Sequence, residues 1–388
     1  MNCAVSEPTA LTPANLDTLL QDIPRMARLA LGFAARLRRG LEEGPSAAMT
    51  IHDYKFGWRF LRAGDIGIAE SYLRREWDTP NLTQFLHVFC VNHDLSGTML
   101  ADRPVMRFLQ HVRHWFNRNT RRQAKRNIFA HYDIGNEFYS AWLDPTMTYS
   151  SALFDADTKD LTAAQQNKYR RLAEAIDLRP GHELLEIGCG WGGFAEYAAK
   201  HCGAKVVGLT ISAEQRDFAR ARIAKAGLDD RVDIRFQDYR DERGLYDRIV
   251  SIEMIEAVGE QFWPEYFSQL RDRLKPGGLC GIQAITIQDQ FFQTYRKEVD
   301  FIQRHVFPGG MLPSPGVLKR LGDKFGVPVI RERIFGEDYA RTLATWRDNF
   351  RAAWPKLMPL GFDERFRRLW EYYLAYCEAG FLSGNIDV

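Results

Sequence analysis

Leu184-Leu185-Glu186-Ile187-Gly188-Cys189-Gly190-Trp191-Gly192-Gly193 is an apolar run that carries one acid and then breaks into a glycine-rich turn. A strand feeding such a turn lets backbone amides approach a nucleotide-like ligand closely, because glycine has no side chain to hold it off. A tight strand-to-helix connection with no ligand needs the same residues, so the surroundings decide. Working outward, the pattern predicts a helix near 162–177 and strands near 183–188, 205–210, 232–236, 246–252 and 279–287, with helices between. That alternation predicts an α/β fold with a mostly parallel sheet and helices on both faces.

The chain has 388 residues, 45% of them hydrophobic, enough for one large domain and a smaller companion with its own core. Residues 1–14 are rich in Pro, Thr, Ala and Ser and are expected to be disordered. From Leu16 to Leu41 apolar residues recur at helical spacing among arginines. This amphipathic helix either packs on the body of the protein or docks on a membrane surface. Residues 51–126 read as mainly helical and aromatic-rich, which suggests a smaller N-terminal accessory domain over 15–126, ahead of the α/β domain at 127–388.

The net charge of +2 conceals a stretch from Val105 to Ala130 with no acid, in which Arg107, Arg113, Arg118, Arg121, Arg122, Lys125 and Arg126 accumulate around Trp115 and Phe116. Something anionic is expected to dock there, unless it is an ordinary solvated helix face. No base-reading module accompanies the charge, so nucleic acid is not the expected partner. The six cysteines form no CxxC pair and no metal-ligand cluster, so neither a disulfide framework nor a zinc site is implied. With no signal core and no run of about 18 uncharged apolar residues, the chain is expected in a reducing cytoplasm.

Where a dinucleotide fold would place an acid after the second strand, Thr210, Ser212 and Gln215 stand instead, and Gln237-Asp238-Tyr239 follows the third. Hydroxyls and amides bind a ribose, and the latter trio suits an adenine amino group. A cationic amino-acid and sulfonium tail would sit well near Glu186, which a pyrophosphate would not. An adenosyl ligand is therefore favoured over a nicotinamide cofactor. Ser251-Ile252-Glu253-Met254-Ile255-Glu256-Ala257-Val258-Gly259 and then Leu274-Lys275-Pro276-Gly277-Gly278 complete a succession that resembles class I S-adenosylmethionine-dependent methyltransferases, with a Rossmann-like sheet.

The resemblance sharpens with His131-Tyr132-Asp133-Ile134-Gly135-Asn136-Glu137-Phe138-Tyr139, Leu143-Asp144-Pro145, Met147-Thr148-Tyr149-Ser150, Phe307-Pro308-Gly309-Gly310 and Tyr339-Ala340-Arg341-Thr342-Leu343. Together these look like the cyclopropane fatty acid synthase family, over roughly residues 50–388. Gly64-Asp65-Ile66-Gly67-Ile68-Ala69-Glu70-Ser71-Tyr72 is similar to the N-terminal lipid-binding domain of its longer members.

The resemblance implies a peripheral membrane enzyme at the inner face of the cytoplasmic membrane, possible as a homodimer. It would methylate the double bond of an unsaturated acyl chain in phospholipid, on an anionic membrane surface. Cofactor contacts carry over to Tyr149, Ser150, Glu186, Gly188, Gly190, Gly192, Thr210, Gln215, Gln237 and Asp238. Proton removal in the family is associated with bicarbonate held by a cysteine-position backbone, a glutamate, a histidine and a tyrosine. The glutamate matches Glu256 and the tyrosine Tyr339, whereas Ser151 stands for the cysteine, Gln283 for the histidine, and Ala257 for a histidine that often follows the glutamate. Neither serine nor glutamine supplies an imidazole, which tilts the expected product from a cyclopropane toward a methyl-branched chain. A true cyclopropane synthase and a silent lipid- or cofactor-binding scaffold are the alternatives.

Cys377 matches a cysteine sometimes marked as active in the family, yet methyl transfer to an alkene needs no thiol, and a buried structural cysteine is the alternative. Cys189 reads as a small packing residue, His305 as a structural histidine, and Glu253 as an acceptor for a helix amide. The family usually continues past Asn385-Ile386-Asp387-Val388 into a final strand, so one sheet edge is expected to be unpaired if the chain is truncated.

Overall fold

The structure, a computed structural model, describes residues 47–91 and 134–388. The segment 1–14, the helix expected from Leu16 to Leu41, the basic segment 107–126 and the His131–Asp133 part of the first family block lie outside these residues.

Chain order begins with strand β1 (Thr50–Ile51), helix α1 (Lys55–Leu73), β2 (Trp77–Asp78) and α2 (Leu82–Val91), followed by α3 (Asn136–Ser140) and α4 (Leu161–Ala175). Then come β3 (Glu183–Ile187), α5 (Gly193–Cys202), β4 (Lys205–Thr210), α6 (Ala213–Lys225), β5 (Val232–Phe236) and β6 (Tyr246–Ile252). The chain continues with α7 (Trp263–Arg273), β7 (Leu274–Gln283), β8 (Thr286–Ile287), α8 (Asp289–Tyr295), α9 (Phe301–His305) and α10 (Pro315–Phe325). It closes with the long pair α11 (Gly336–Leu357) and α12 (Glu364–Leu382), and β9 (Ile386–Asp387).

Strands β5-β4-β3-β6-β7 form one parallel sheet. Successive residues of a strand point to opposite faces, and β3 shows what each face meets. Leu184 packs with Phe194, Ala195 and Ile223 of α5 and α6, while Leu185 packs with Trp263, Phe267 and Leu270 of α7. Both faces are therefore covered, which is why β3 reads as an unbroken apolar run. The strand order reverses between β3 and β6, and the crevice outside their carboxyl ends is where such sheets place ligands.

The strand expected over 279–287 divides. Pairing of β7 with β6 begins at Leu274, passes an irregularity where Pro276-Gly277-Gly278 is accommodated, and ends at Gln283. Thr286 and Ile287 then pair antiparallel with Asp387 and Ile386, so the last residues form a separate ribbon, and Val388 is buried.

Helices α1 and α2 share a core with the other end of the chain, where Phe56, Tyr72, Trp77 and Phe85 pack into one cluster with Trp370, Tyr372 and Phe381. Within α1, Gly64 leaves the helical conformation (φ 59°, ψ −133°), and a Cβ on Gly67 would lie 2.1 Å from the Arg59 carbonyl oxygen. The kink and the close approach explain the two glycines of the Gly64-Asp65-Ile66-Gly67 block.

Arg368 fastens the two ends together. Its guanidinium lies 3.7 Å over the Tyr72 ring, donates to the carbonyls of Tyr72 (2.7 Å) and Trp77 (3.1 Å), and pairs with Asp78. Arg368→Ala strands buried carbonyls and removes the stacked cation, so it should destabilise the fold by about 2–4 kcal/mol. Urea unfolding measures this; a midpoint unchanged from the parent would contradict it.

Candidate active site

One cavity of about 590 Å³ runs through the crevice at the ends of β3 and β6. It begins at Glu186, Gly188 and Gly190, passes Glu253, Glu256 and Tyr339, and reaches Phe60, Ile68, Leu86 and Phe89 of α1 and α2. Tyr149, Phe307, Tyr373 and Phe381 add aromatic walls between.

At the glycine end, Gly188, Gly190 and Gly192 all have positive φ. Added Cβ atoms would strike Met254 at Gly188 and Ala219 at Gly192, whereas nothing beyond its own chain neighbours lies within 4 Å of one built on Gly190. The space beside Gly190 is thus left for a ligand. Glu186, on β3, is buried, and its Oε2 has no hydrogen-bond partner. An orphaned buried carboxylate oxygen calls for a cationic or donating group. The ammonium and sulfonium of S-adenosylmethionine supply one, so these residues fit that molecule.

Further along the same edge, Thr210 Oγ1 donates to Gln215 Oε1 (3.0 Å), and Ser212 caps α6 by accepting from the Gln215 amide (3.3 Å). Gln237 donates to Glu242 (3.0 Å). Asp238 lines the cavity but is engaged by Arg240, which donates to both carboxylate oxygens at 2.9 and 2.6 Å.

Burial pushes the Glu186 carboxyl up to about 8, against the opposing pull of Lys168 and the Ala195 amide. A cationic ligand beside it favours the carboxylate and lowers that value. Below pH 8, cofactor binding should therefore release a proton from Glu186, and affinity should rise with pH until about 8. Calorimetry in buffers of different ionisation heat reads the proton directly. Glu186→Gln should abolish this proton release and weaken binding about 10- to 100-fold; unchanged proton release would contradict the assignment.

The loop 149–154 is held by a polar face of α4. Gln165 donates to the Ser150 carbonyl (2.9 Å), Asn167 to the Leu153 carbonyl (2.9 Å), and Lys168 Nζ to Ser150 Oγ (2.7 Å). The loop is tied to α11 as well, where Thr342 Oγ1 accepts from the Ala152 amide (3.2 Å). Tyr149 donates to the Tyr373 hydroxyl (2.8 Å). Lys168 is buried, and burial pushes it down to about 7 while Glu253, Asp144 and Glu186 pull it back up.

At the centre, the carboxylate that draws Ser151, Gln283 and Tyr339 together is Glu253, not Glu256. Its Oε1 accepts from the Ser151 amide and from Gln283 Nε2, both at 2.8 Å, and its Oε2 accepts from the Tyr339 hydroxyl at 2.7 Å. The expectation that Glu253 serves a helix amide is thus corrected, because Ser151 lies in a loop. Glu256 turns elsewhere: Oε1 accepts from the Ile285 amide (2.5 Å), and Oε2 has no partner. Burial and the neighbouring Glu253 push its carboxyl up to about 8.

Three donors expected to hold bicarbonate are already engaged by a protein carboxylate. A second anion among them would face Glu253 with no donor left to share, so the site does not fit bicarbonate.

Cys377 lines the cavity beyond Tyr339 and Tyr373, and burial pushes its thiol well up, which suppresses the nucleophilic thiolate. Cys189 is buried below the glycine turn, its thiol also pushed up. His305 lies against Phe301, with ring centroids 5.3 Å apart and the planes tilted by 36°, and approaches Glu70 at 3.8 Å.

Lys168 and the central place of Glu253 were not expected from sequence. Lys168 carried a signal, since with Leu161, Ala164, Gln165 and Tyr169 it falls on the buried stripe of a helix. Glu253 carried only its position after β6, three residues before Glu256.

The mycolic acid cyclopropane synthetase family matches residues 119–388. The chain belongs to that family. It is an S-adenosylmethionine-dependent methyltransferase, with the class I methyltransferase fold. Tuberculostearic acid methyltransferase UfaA1 of Mycobacterium tuberculosis is 42% identical over 349 residues, covering 85% of this chain and 79% of the relative. Cyclopropane-fatty-acyl-phospholipid synthase of Escherichia coli is 34% identical over 367 residues, covering 93% and 91%. Among solved structures, mycolic acid cyclopropane synthase CmaA1 complexed with SAH and CTAB superposes with a TM-score of 0.64 at 30% identity, covering 68% of this chain and 95% of that one.

Proposed function

We propose that this methyltransferase adds the methyl of S-adenosylmethionine to the double bond of an unsaturated fatty acyl chain carried on membrane phospholipid, with a methyl-branched chain as the main product. The observation that carries this reading is the single cavity joining the glycine turn to an apolar end lined by α1 and α2. When bound, S-adenosylmethionine supplies an electrophilic methyl group, whose transfer to the alkene leaves a cation on the chain. Residues 15–126 serve as the lipid-binding unit and 127–388 as the methyltransferase unit, since Phe60, Ile68, Leu86 and Phe89 give the acyl tail an apolar end to the cavity.

Each part of the wall then has a task. Glu186 offers its free carboxylate oxygen to the cationic end of the cofactor, and Gly190 leaves room for it. The faces of Tyr149, Tyr339 and Tyr373 stabilise a cationic carbon and keep water from it. Glu253 and Glu256 stand where a proton must leave. Ring closure requires that proton to come from the added methyl, and branching requires a neighbouring chain carbon.

Branching is favoured because Gln283 brings no imidazole, and because the 42% relative is named for methyl transfer. The relationship to the Escherichia coli synthase supports ring formation as the second reading. No described helix is long and apolar enough to cross a membrane. Attachment at the inner face of the cytoplasmic membrane would then rest on the basic segment 107–126 meeting anionic headgroups, with homodimer formation a further expectation.

Vesicles of monounsaturated phospholipid, with saturated vesicles as the control, test the substrate class. Methyl label from S-adenosylmethionine should enter acyl chains of the first and not the second. Label confined to headgroups, or absent from both, would overturn the reading.

A further inference from the structure

We infer that Glu253 is the base of this reaction, its carboxylate standing built into the chain where an exchangeable anion would otherwise be held. Three donors from separate parts of the fold converge on it: the Ser151 amide, the Gln283 side chain and the Tyr339 hydroxyl. They come from the loop before α4, the end of β7 and the first turns of α11. The Glu253 amide itself donates to the Gln283 carbonyl (2.8 Å), so backbone and side chain are fixed at one point.

The backbone bears a cost for this placement. Glu253 has φ +48°, in the left-handed region that costs a non-glycine residue about 1–2 kcal/mol. Such strain persists where the surroundings enforce it, and it concentrates at functional sites. Here it turns the carboxylate into the cavity, between the apolar end and the glycine turn.

The chemistry balances without any added species. Once methyl transfer has left a cation on the acyl chain, a Glu253 oxygen takes one proton, either from a chain carbon next to the cationic centre or from the added methyl one carbon further away. The electrons of that C–H bond stay on the chain, as a double bond or as the closing bond of a ring. Glu253 is left as the neutral acid and returns the proton to solvent after product departs. Tyr339 and Gln283 are positioning residues that hold the carboxylate in one orientation.

This role rests on the acyl-methylation reading, and two measurements separate their failures. Glycine relaxes at φ +48°, so Glu253→Gly should fold and bind S-adenosylhomocysteine as the parent does, while leaving the three donors open. Line broadening of carbon-13 bicarbonate should be absent with the parent and present with Glu253→Gly, whatever the substrate is. In the vesicle assay under carbon dioxide-free conditions, the parent should keep full activity and Glu253→Gly should lose about 100- to 10,000-fold, the usual worth of a general base. Bicarbonate or formate should restore at least about a tenth of the parent rate. Dependence of the parent on added bicarbonate, full activity of the variant without anions, or a folded variant that no anion rescues would each overturn the assignment.

Discussion

Gly190→Val should abolish binding of S-adenosylmethionine and S-adenosylhomocysteine while leaving a folded protein. Two effects combine at this position. The residue sits at φ +51°, where a β-branched side chain is strained, and the place its Cβ would occupy has no atom within 4 Å beyond those of its own chain neighbours. The new methyl groups therefore enter the space reserved for ligand rather than the core. An affinity loss of about 1,000-fold or more is expected, since a clash at a rigid turn adds to lost contacts. Calorimetry with S-adenosylhomocysteine reads the affinity, and circular dichroism checks the fold. Binding within tenfold of the parent would mean that the cofactor does not lie against this turn.

Lys168→Met should separate binding from turnover in the opposite sense. The ammonium is the first cationic influence on Glu253, and it sits within reach of Asp144 and Glu186 too. Because burial pushes Lys168 down to about 7, a side chain of similar length with no charge should be accommodated with little loss of stability. Without that cation, the charged form of Glu253 is less favoured and its pKa rises. The acid limb of the kcat profile should then move to higher pH, and turnover near pH 7 should fall about 10- to 100-fold. S-adenosylhomocysteine affinity should change far less, because the ligand's own positive charge remains to offset Glu186. An acid limb that stays in place would show that Lys168 does not control the carboxylate in use.

The parallel sheet was legible because its evidence is local. Leu184 and Leu185 are both apolar since each faces a different layer of helices, and the glycines that follow mark where β3 must turn. The end of the fifth strand was less legible. Gln283, Ala284 and Ile285 continue an apolar alternation, yet the sheet stops at Gln283, because Thr286 and Ile287 pair with residues a hundred positions later. That break frees the Ile285 amide for Glu256 and leaves Gln283 beside Glu253.

Of the two glutamates after β6, the resemblance pointed to Glu256, and nothing local distinguished the other. What sets Glu253 apart is its positive φ and its bonds to Ser151, Gln283 and Tyr339, which lie 102, 30 and 86 residues away in sequence. Contacts of that range depend on the folded topology. Spacing within one segment cannot encode them.

Mass spectrometry of membrane acyl chains from cells expressing the protein and fed methionine with a trideuterated methyl shows whether the acyl chain is methylated and which carbon gives up the proton. An acyl chain that gains one carbon and keeps all three deuterons carries a methyl branch, with the proton lost from the chain itself. Two deuterons would mean that the proton came from the new methyl, as in ring closure or an exocyclic methylene. Labelled acyl chains are expected, with the three-deuteron species in the majority. Acyl chains without label, in cells whose protein is folded and binds S-adenosylhomocysteine, would contradict acyl methylation.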